Sequence, residues 1–441
     1  MPRRVRSLAA LIVACTALVV SARWQSERSD PETVQPGDGL LPVLKPGGDK
    51  FWKGNLHTHS FWSDGDDFPE MIADWYKRHH YDFLALSDHN VLAEGERWLD
   101  ISPAQAVREV ALKKYAARFG PQWVERREHE GKAQVRLKPL AEFRSMLEEP
   151  GRFLLIPAEE VTHKYAKAPV HMNAINLRDV VKPINGANVS ETIRVNHRNV
   201  YDQNKRTSDA LLVSLNHPNF GWGVRAEDLA PVDELRFFEV FNGHPGVRNY
   251  GDEVHVSSEK MWDIVLALRL GKHHLPPIFG LATDDAHGYH TFGVGKVNPG
   301  RGWVMIRAPY LSAEAVVRAM KAGEFYASSG ITLRDIRRDK NRLLVSIKAE
   351  ADVTYVTQFI ATMRDTPLTA EPRLDAQKQP VTGVYSADVG KVVAEVRGPE
   401  AAYELTGKEL YVRAKVISSR PHPNPYQKGD VEMAWLQPVV P

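Results

Sequence analysis

At 441 residues, with 43% apolar and 25% charged side chains, the chain has the composition of a soluble globular protein and the length of two domains or one large barrel with an appendage. Its 57 basic and 55 acidic residues leave a formal net charge of +2, and without a long basic run nothing calls for nucleic acid as a partner. The single cysteine, Cys15, excludes an internal disulfide, and cleavage after Ala22 would leave metal binding to nitrogen and oxygen donors.

Arg3, Arg4 and Arg6 precede an uncharged stretch over residues 7–22 that ends in Ser21-Ala22, the pattern of a cleaved export signal over 1–22. The protein is therefore expected to be periplasmic or secreted. A membrane connection is expected only through a retained N-terminal anchor, or through a lipid on Cys15 in the box Ile12-Val13-Ala14-Cys15. Residues 23–49 read as a linker rich in proline and glycine.

From residue 50 to 330, short apolar runs alternate with helical patterns, the rhythm of an α/β domain. Strands are expected over 54–58, 83–87, 153–161, 170–177, 211–215, 235–241 and 277–283, each followed by polar residues. Asp66 and Asp67 before Phe68-Pro69 predict a helix start, and Met71, Ile72, Trp75 and Tyr76 follow at helical spacing, as core packing. Residues 100–150 interrupt the rhythm and read as a solvated helical insertion, with a lid over the site as the functional alternative. A helix starting at Ser312 precedes a change of texture at 331. From there to 441, strand-forming runs over 342–348, 355–363, 391–396, 409–417 and 431–436 predict a small antiparallel β domain, sandwich-like, holding only His422.

The chemistry-bearing residues are concentrated in the first of these regions, where all histidines but His422 lie. They stand where apolar runs end: His57-Thr58-His59, Ser63-Asp64-Gly65, Ser87-Asp88-His89-Asn90, Glu159-Glu160, His171-Met172-Asn173, Asn216-His217-Pro218 and Asp284-Asp285-Ala286-His287. Neutral imidazole and ionised carboxylate are the ligands of zinc, manganese and iron. Five repeats of a strand followed by such a residue point to a metal site assembled from many strand ends. Taken singly, an H-x-H pair or an Asp in a turn is weaker, and Asp64 has a capping alternative. Asp88, Asn216 and Asp284 are candidates for orienting the ligands, and His244 in Asn242-Gly243-His244-Pro245 is a candidate proton donor.

In this order, His57-x-His59, Ser63-Asp64-Gly65, Ser87-Asp88-His89-Asn90, Glu160-Val161-Thr162, His171, Asn216-His217-Pro218 and Asp285-x-His287 resemble the polymerase-and-histidinol-phosphatase (PHP) superfamily over about residues 50–330. The resemblance implies a distorted (β/α)7 barrel with two or three divalent ions. His57, His59, Glu160 and Asp285 would hold the first ion, Glu160 would bridge to a second with His171 and His217, and Asp64, His89 and His287 would hold a third. Glu159 is a competing carboxylate, Ala158 stands where the family has glycine, and His163 is a spare candidate at the rim. The stretches 408–414 and 434–438 resemble the tail of a bacterial branch that includes carbaryl hydrolases.

The expected function is that of a metal-dependent hydrolase acting on a small-molecule ester, with a metal-bound hydroxide as nucleophile. A phosphoesterase leads, a carbamate or carboxylic ester hydrolase using the same ions is the alternative, and a binding protein merely braced by metal is the third reading. Neither a G-x-S-x-G elbow nor a cysteine nucleophile competes with them.

Overall fold

Seven strands supply the frame of the site, and their pairing explains why its residues gather at one end. They are β1 (Lys50–Asn55), β2 (Phe83–Leu86), β6 (Leu154–Tyr165), β7 (Ala168–Ile175), β8 (Leu212–Leu215), β9 (Phe237–Asn242) and β10 (Phe279–Thr283). The computed structural model describes residues 50–102, 105–207, 210–339 and 341–441, so the expected leader and linker lie outside the described residues. No described helix is long and apolar enough to cross a membrane.

β1, β2 and β6 run parallel, β7 returns antiparallel between β6 and β8, and β8, β9 and β10 are again parallel. An isolated parallel bridge, Thr58 to Ala286, then joins the chain just past β1 to the chain just past β10. The carboxyl ends of six strands thus face one way. His171 reaches the same rim because it lies in the first half of the reversed strand, opposite Thr162. The mixed α/β character follows the sequence pattern, with one departure from alternation. β6 continues past the expected end at 161 and turns straight into β7, so Glu160 and His171 share a hairpin with no helix between them.

The layers follow from strand periodicity. On β6, Ile156 and Ala158 belong to an apolar cluster with Phe237 of β9, Phe279 and Leu281 of β10 and Leu212 of β8, and Glu160 continues that same face. The opposite faces of β7–β9 pack against helices α4 (Val189–Thr207), α5 (Ala226–Leu229) and α6 (Ser258–Leu268). Helix α1 (Pro69–Arg78) buries Ile72 and Tyr76 as expected, but its N-cap is Phe68 without a side-chain cap. Asp67 instead accepts the Phe68 N–H, and Asp66 accepts the N–H of Tyr289.

The insertion holds helices α2 (Ala106–Phe119) and α3 (Leu140–Leu147), and a three-stranded sheet of β3 (Arg97–Ile101), β4 (Arg126–His129) and β5 (Lys132–Leu137). The charged stretch 125–138 is thus a hairpin rather than helix. Val135 and Leu137 alternate inward, and Glu130-Gly131 turns the chain with both φ values positive (51° and 69°). These elements bury Leu99, Leu112, Tyr115, Val135 and Leu137 against Phe61, Trp62 and Phe68, which flank Asp64.

After β11 (Trp303–Ala308), α7 (Ala313–Lys321) begins behind Ser312, whose hydroxyl accepts the Ala315 N–H as the sequence leads one to expect. β12 (Phe325–Ser328) follows. The remaining strands are β13 (Leu333–Asp339), β14 (Arg342–Ile347), β15 (Tyr355–Met363), β16 (Glu371–Leu374), β17 (Pro380–Val384), β18 (Lys391–Arg397), β19 (Glu400–Glu404), β20 (Glu409–Pro421) and β21 (Val431–Leu436). They are antiparallel throughout, and β21 pairs with β12, so β20, β15 and β18 extend the sheet that begins at β10. A buried bidentate pair, Arg413 to Asp263 at 2.7 Å, ties β20 to α6.

Candidate metal centre

Six imidazoles and three carboxylates converge at the strand ends. Ligand-capable atoms fall into four overlapping groups: His59, Asp64, His89 and His287; His57, His59 and Glu160; His57, His217 and Asp285; and His89, Glu160 and His171. All nine residues named from the sequence are present in them. The first group is the set implied for a third ion with His59 added, while the ligands implied for the other two ions interleave around Glu160.

Glu160 is wholly buried, and its two oxygens face different histidines. Oε1 lies 3.3 Å from His57 Nε2, 3.2 Å from His171 Nδ1 and 3.2 Å from His217 Nε2. Oε2 lies 2.5 Å from His89 Nδ1 and 3.6 Å from His59 Nε2. That is the disposition of a bridging carboxylate. Asp285 Oδ1 sits 3.2 Å from His57 Nε2 and 3.1 Å from His59 Nε2. Asp64, the most exposed of the nine, places Oδ1 3.4 Å from His287 Nε2 and Oδ2 3.6 Å from His89 Nε2.

The donors fit divalent ions on a physical ground. His57 Nε2, Glu160 Oε2 and His171 Nδ1 are buried, and although oppositely charged groups stand 2.5–3.3 Å away, none of the three meets one at a hydrogen-bonding angle, as is expected of atoms aimed at a shared ion. Ligands about 2.0–2.2 Å from a zinc-like ion stand some 3–3.5 Å apart, close to the separations found. Backbone strain points the same way. His217 (φ 21°), Asp285 (φ 49°) and Asn90 (φ 52°) are non-glycine residues held at positive φ.

Charge explains the titration of the metal-free cluster. Burial alone would lower His57, but Asp285, Glu239 and Glu160 outweigh it and hold it well above the usual histidine range. His89, also opposed by burial, is pushed up to about 10 by Asp64 and Glu160. His217 and His287 are raised for similar reasons. Burial and the neighbouring His287 lower His59 to about 3. Burial pushes Glu160 and Asp285 up, but the surrounding imidazoles prevail and hold both well below the carboxylate range. The raised imidazoles give the metal-free protein a stability contribution that is full below about pH 6.5 and lost as pH rises toward 10. Divalent ions must displace those protons, so metal affinity is expected to increase across the same window, with proton release on loading. Calorimetry of metal binding in two buffers of different ionisation heat measures it; buffer-independent heats at pH 7 would contradict it.

The other named residues have distinct places. Glu159 points to the opposite face of β6, where its Oε2 accepts the Val181 N–H and burial pushes it up to about 7, so it does not compete for metal. His163 bonds Asn185. Asp88 accepts from Ser60 N, Ser60 Oγ and Ser63 Oγ rather than from His89, and so fixes the 60–63 turn beside His59. Asp284 accepts the N–H groups of residues 300, 301 and 302 and the Tyr76 hydroxyl, an anchor for the loop and not a contact to any ligand. Asn216 does reach a ligand, donating to Glu160 Oε1 at 2.9 Å. His244 lies at the rim, its ring centroid 5.4 Å from that of His287. Its Nδ1 accepts the Gly246 N–H, so the neutral ring carries its proton on Nε2.

Sequence reasoning missed Glu239. This buried carboxylate accepts from His57 Nδ1 at 2.7 Å and Thr283 Oγ1 at 2.7 Å on one oxygen, and from the His217 N–H and Asn242 Nδ2 at 2.8 Å each on the other. It leaves His57 with Nε2 directed at the cluster, the usual carboxylate–histidine–metal relay. A lone acid inside the apolar run Phe237–Asn242 was the available signal. Thr162 Oγ1, 2.5 Å from His89 Nδ1, and Asn242, 3.1 Å from Asp285 Oδ2, were also missed.

Two solved structures are among those to which the chain is similar. One is a two-domain protein from Bacteroides vulgatus ATCC 8482 containing a predicted PHP-like metal-dependent phosphoesterase, at 14% identity and a TM-score of 0.36 over 90% of this chain and 98% of that one. The other is a presumed metal-dependent phosphoesterase from Bifidobacterium adolescentis ATCC 15703, at 13% identity and a TM-score of 0.30 over 61% of this chain and 96% of that one. No protein-family model and no curated protein matches the chain. The case for a metal centre therefore rests on the side chains themselves.

Proposed function

We propose that the protein is a metal-dependent hydrolase of the PHP type, a phosphoesterase acting on a small phosphate ester outside the cytoplasm. The observation that carries this reading is Glu160, wholly buried with its two oxygens turned to two different groups of histidines. Two or three divalent ions, zinc, manganese or iron, would be held by His57, His59, Asp64, His89, Glu160, His171, His217, Asp285 and His287. When bound they supply Lewis acidity, activation of water and neutralisation of charge on the phosphoryl oxygens.

The chain's own groups do the rest. Glu239 keeps the His57 ring in the tautomer that offers Nε2, and the Asn216 amide holds Glu160 Oε1 in place. Phe220, whose ring centroid lies 5.2 Å from that of His217 and 5.9 Å from that of His171, covers one flank and limits water there. His244 Nε2–H at the rim is placed to donate a hydrogen bond to the departing oxygen and so take up part of its negative charge. His244→Ala is accordingly expected to slow a phosphate monoester with an alkyl leaving group by about 10²-fold while barely affecting 4-nitrophenyl phosphate, whose departing oxygen spreads its charge over its own ring. Equal losses on both would remove His244 from that role.

The test of the reading is hydrolysis of 4-nitrophenyl phosphate and of a naphthyl carbamate by purified protein, with elemental analysis before and after chelation. Chelator-sensitive phosphate release restored by divalent ions supports it. Carbamate turnover alone would transfer the site to acyl chemistry, and a metal-dependent melting temperature without turnover on any ester would make it a binding protein. N-terminal sequencing of the protein secreted from its host tests the export signal, with cleavage after Ala22 expected.

A further inference from the structure

The loop between β20 and β21, residues 422–430, packs against two loops of the metal-site face, and the contact runs through a buried arginine. Arg301 has no exposed surface. Its guanidinium makes no ion pair with a carboxylate among the described residues. Nη1 donates to the carbonyls of Gly243 (2.9 Å) and Lys296, Nη2 to that of Gly293 (2.8 Å), and Nε to that of Asn424 (3.3 Å). Nη2 also lies 3.4 Å from Asn424 Oδ1, and Asn424 Nδ2 donates to the Pro299 carbonyl at 3.0 Å.

Three segments far apart in sequence therefore meet on one cation. The first is the loop after β9, where Gly243 directly precedes His244. The second is the loop after β10, downstream of His287. The third comes from the C-terminal strands. The approach at Gly243 is close: a Cβ there would stand 2.8 Å from the Asp284 carbonyl oxygen and 2.9 Å from Arg301 Cβ. A second grip acts on the same β9 loop. The Tyr426 hydroxyl accepts the Arg248 N–H at 3.1 Å, and its ring packs on Phe241 and Tyr250 at centroid distances of 6.0 Å and 5.7 Å.

We propose that the β20–β21 loop is a working part of the active-site face, with Arg301 and Asn424 as positioning residues that set where His244 presents its Nε2–H. The role assigned to His244 rests on the hydrolase reading above, whereas the positioning itself does not. A buried arginine satisfied by carbonyls from separate loops is costly to desolvate and specifies their arrangement, which a purely apolar contact between the same loops would not do.

The experiment uses the full chain carrying Asn424→Ala, with Tyr426→Phe as a second, milder variant. The first readout is the ring signal of His244 in metal-free protein labelled at histidine, assigned by its disappearance in His244→Ala. It is expected to shift or broaden in both variants while the signals of His57 and His217 stay in place. The second readout is turnover: Asn424→Ala should lose on the order of 10-fold on an alkyl phosphate and little on 4-nitrophenyl phosphate, and should add nothing in the His244→Ala background. An unmoved His244 signal in both variants, with only a lower melting temperature, would overturn the proposal and leave the loop a structural brace. A moved signal together with an unselective loss in His244→Ala would keep the positioning and discard the hydrogen bond to the leaving group.

Discussion

Glu160→Gln is expected to strip the centre of metal and stop turnover. Its two carboxylate oxygens stand among His57, His171 and His217 on one side and His59 and His89 on the other, so one substitution weakens every group that shares it. The loss of metal affinity should exceed the 10–100-fold typical of outer-shell partners. In metal-free protein the variant removes the buried negative charge that the raised imidazoles face, at a cost of about 3–5 kcal/mol. The sign with pH is definite. Glu160 is held well below its ordinary value, so its contribution to folding is present above the carboxylate range and lost as pH falls through the depressed value. The stability gap between wild type and variant should therefore be widest near neutrality and close in strong acid. Full metal content in the purified variant, by elemental analysis, would remove Glu160 from the bridging position.

The second large effect is expected at Glu239, which stands behind His57 and outside the four groups of ligand-capable atoms. Its oxygens accept four donors, from His57, Thr283, His217 and Asn242. Glutamine keeps the shape but replaces one acceptor with an NH2 group that must face two of those donors. Leaving buried donors unsatisfied costs about 1–3 kcal/mol, and freeing the His57 ring from its carboxylate should cost 10–100-fold in metal affinity. Glu159→Gln is the matched control. It too removes a buried acid, but on the far face of β6, and it should leave metal content unchanged. Equal metal loss in the two variants would mean that general destabilisation, not the tautomer of His57, is being read.

How much of this was legible differs from residue to residue. The strands could be read because their apolar runs are local: 355–363 and 431–436 were expected and found, and β2, β8, β9 and β10 lie within one or two residues of their expected ends. The hairpin at 126–137 was not legible, because its many charges resemble a solvated helix until the alternation of Val135 and Leu137 is placed against Trp62 and Leu99. Asp88 was a candidate for orienting His89 or a neighbouring ligand, and its oxygens went to Ser60 and Ser63, since the turn carrying Asp64 folds back over it.

What the sequence determined by itself was the inventory of the centre: histidine and carboxylate at the ends of apolar runs, with nitrogen and oxygen as its donors. That much follows from short-range pattern, because strand periodicity and strand ends are set within a handful of residues. The choice of Glu160 over Glu159 was already implied by the resemblance; the tertiary structure alone decided that the reversed β7 brings His171 to the same rim, that Glu239 stands behind His57, and that Asn424 reaches Arg301. Each of those is a meeting of groups separated along the chain. None has an energy until the sheet curls round and the desolvated donors must find acceptors.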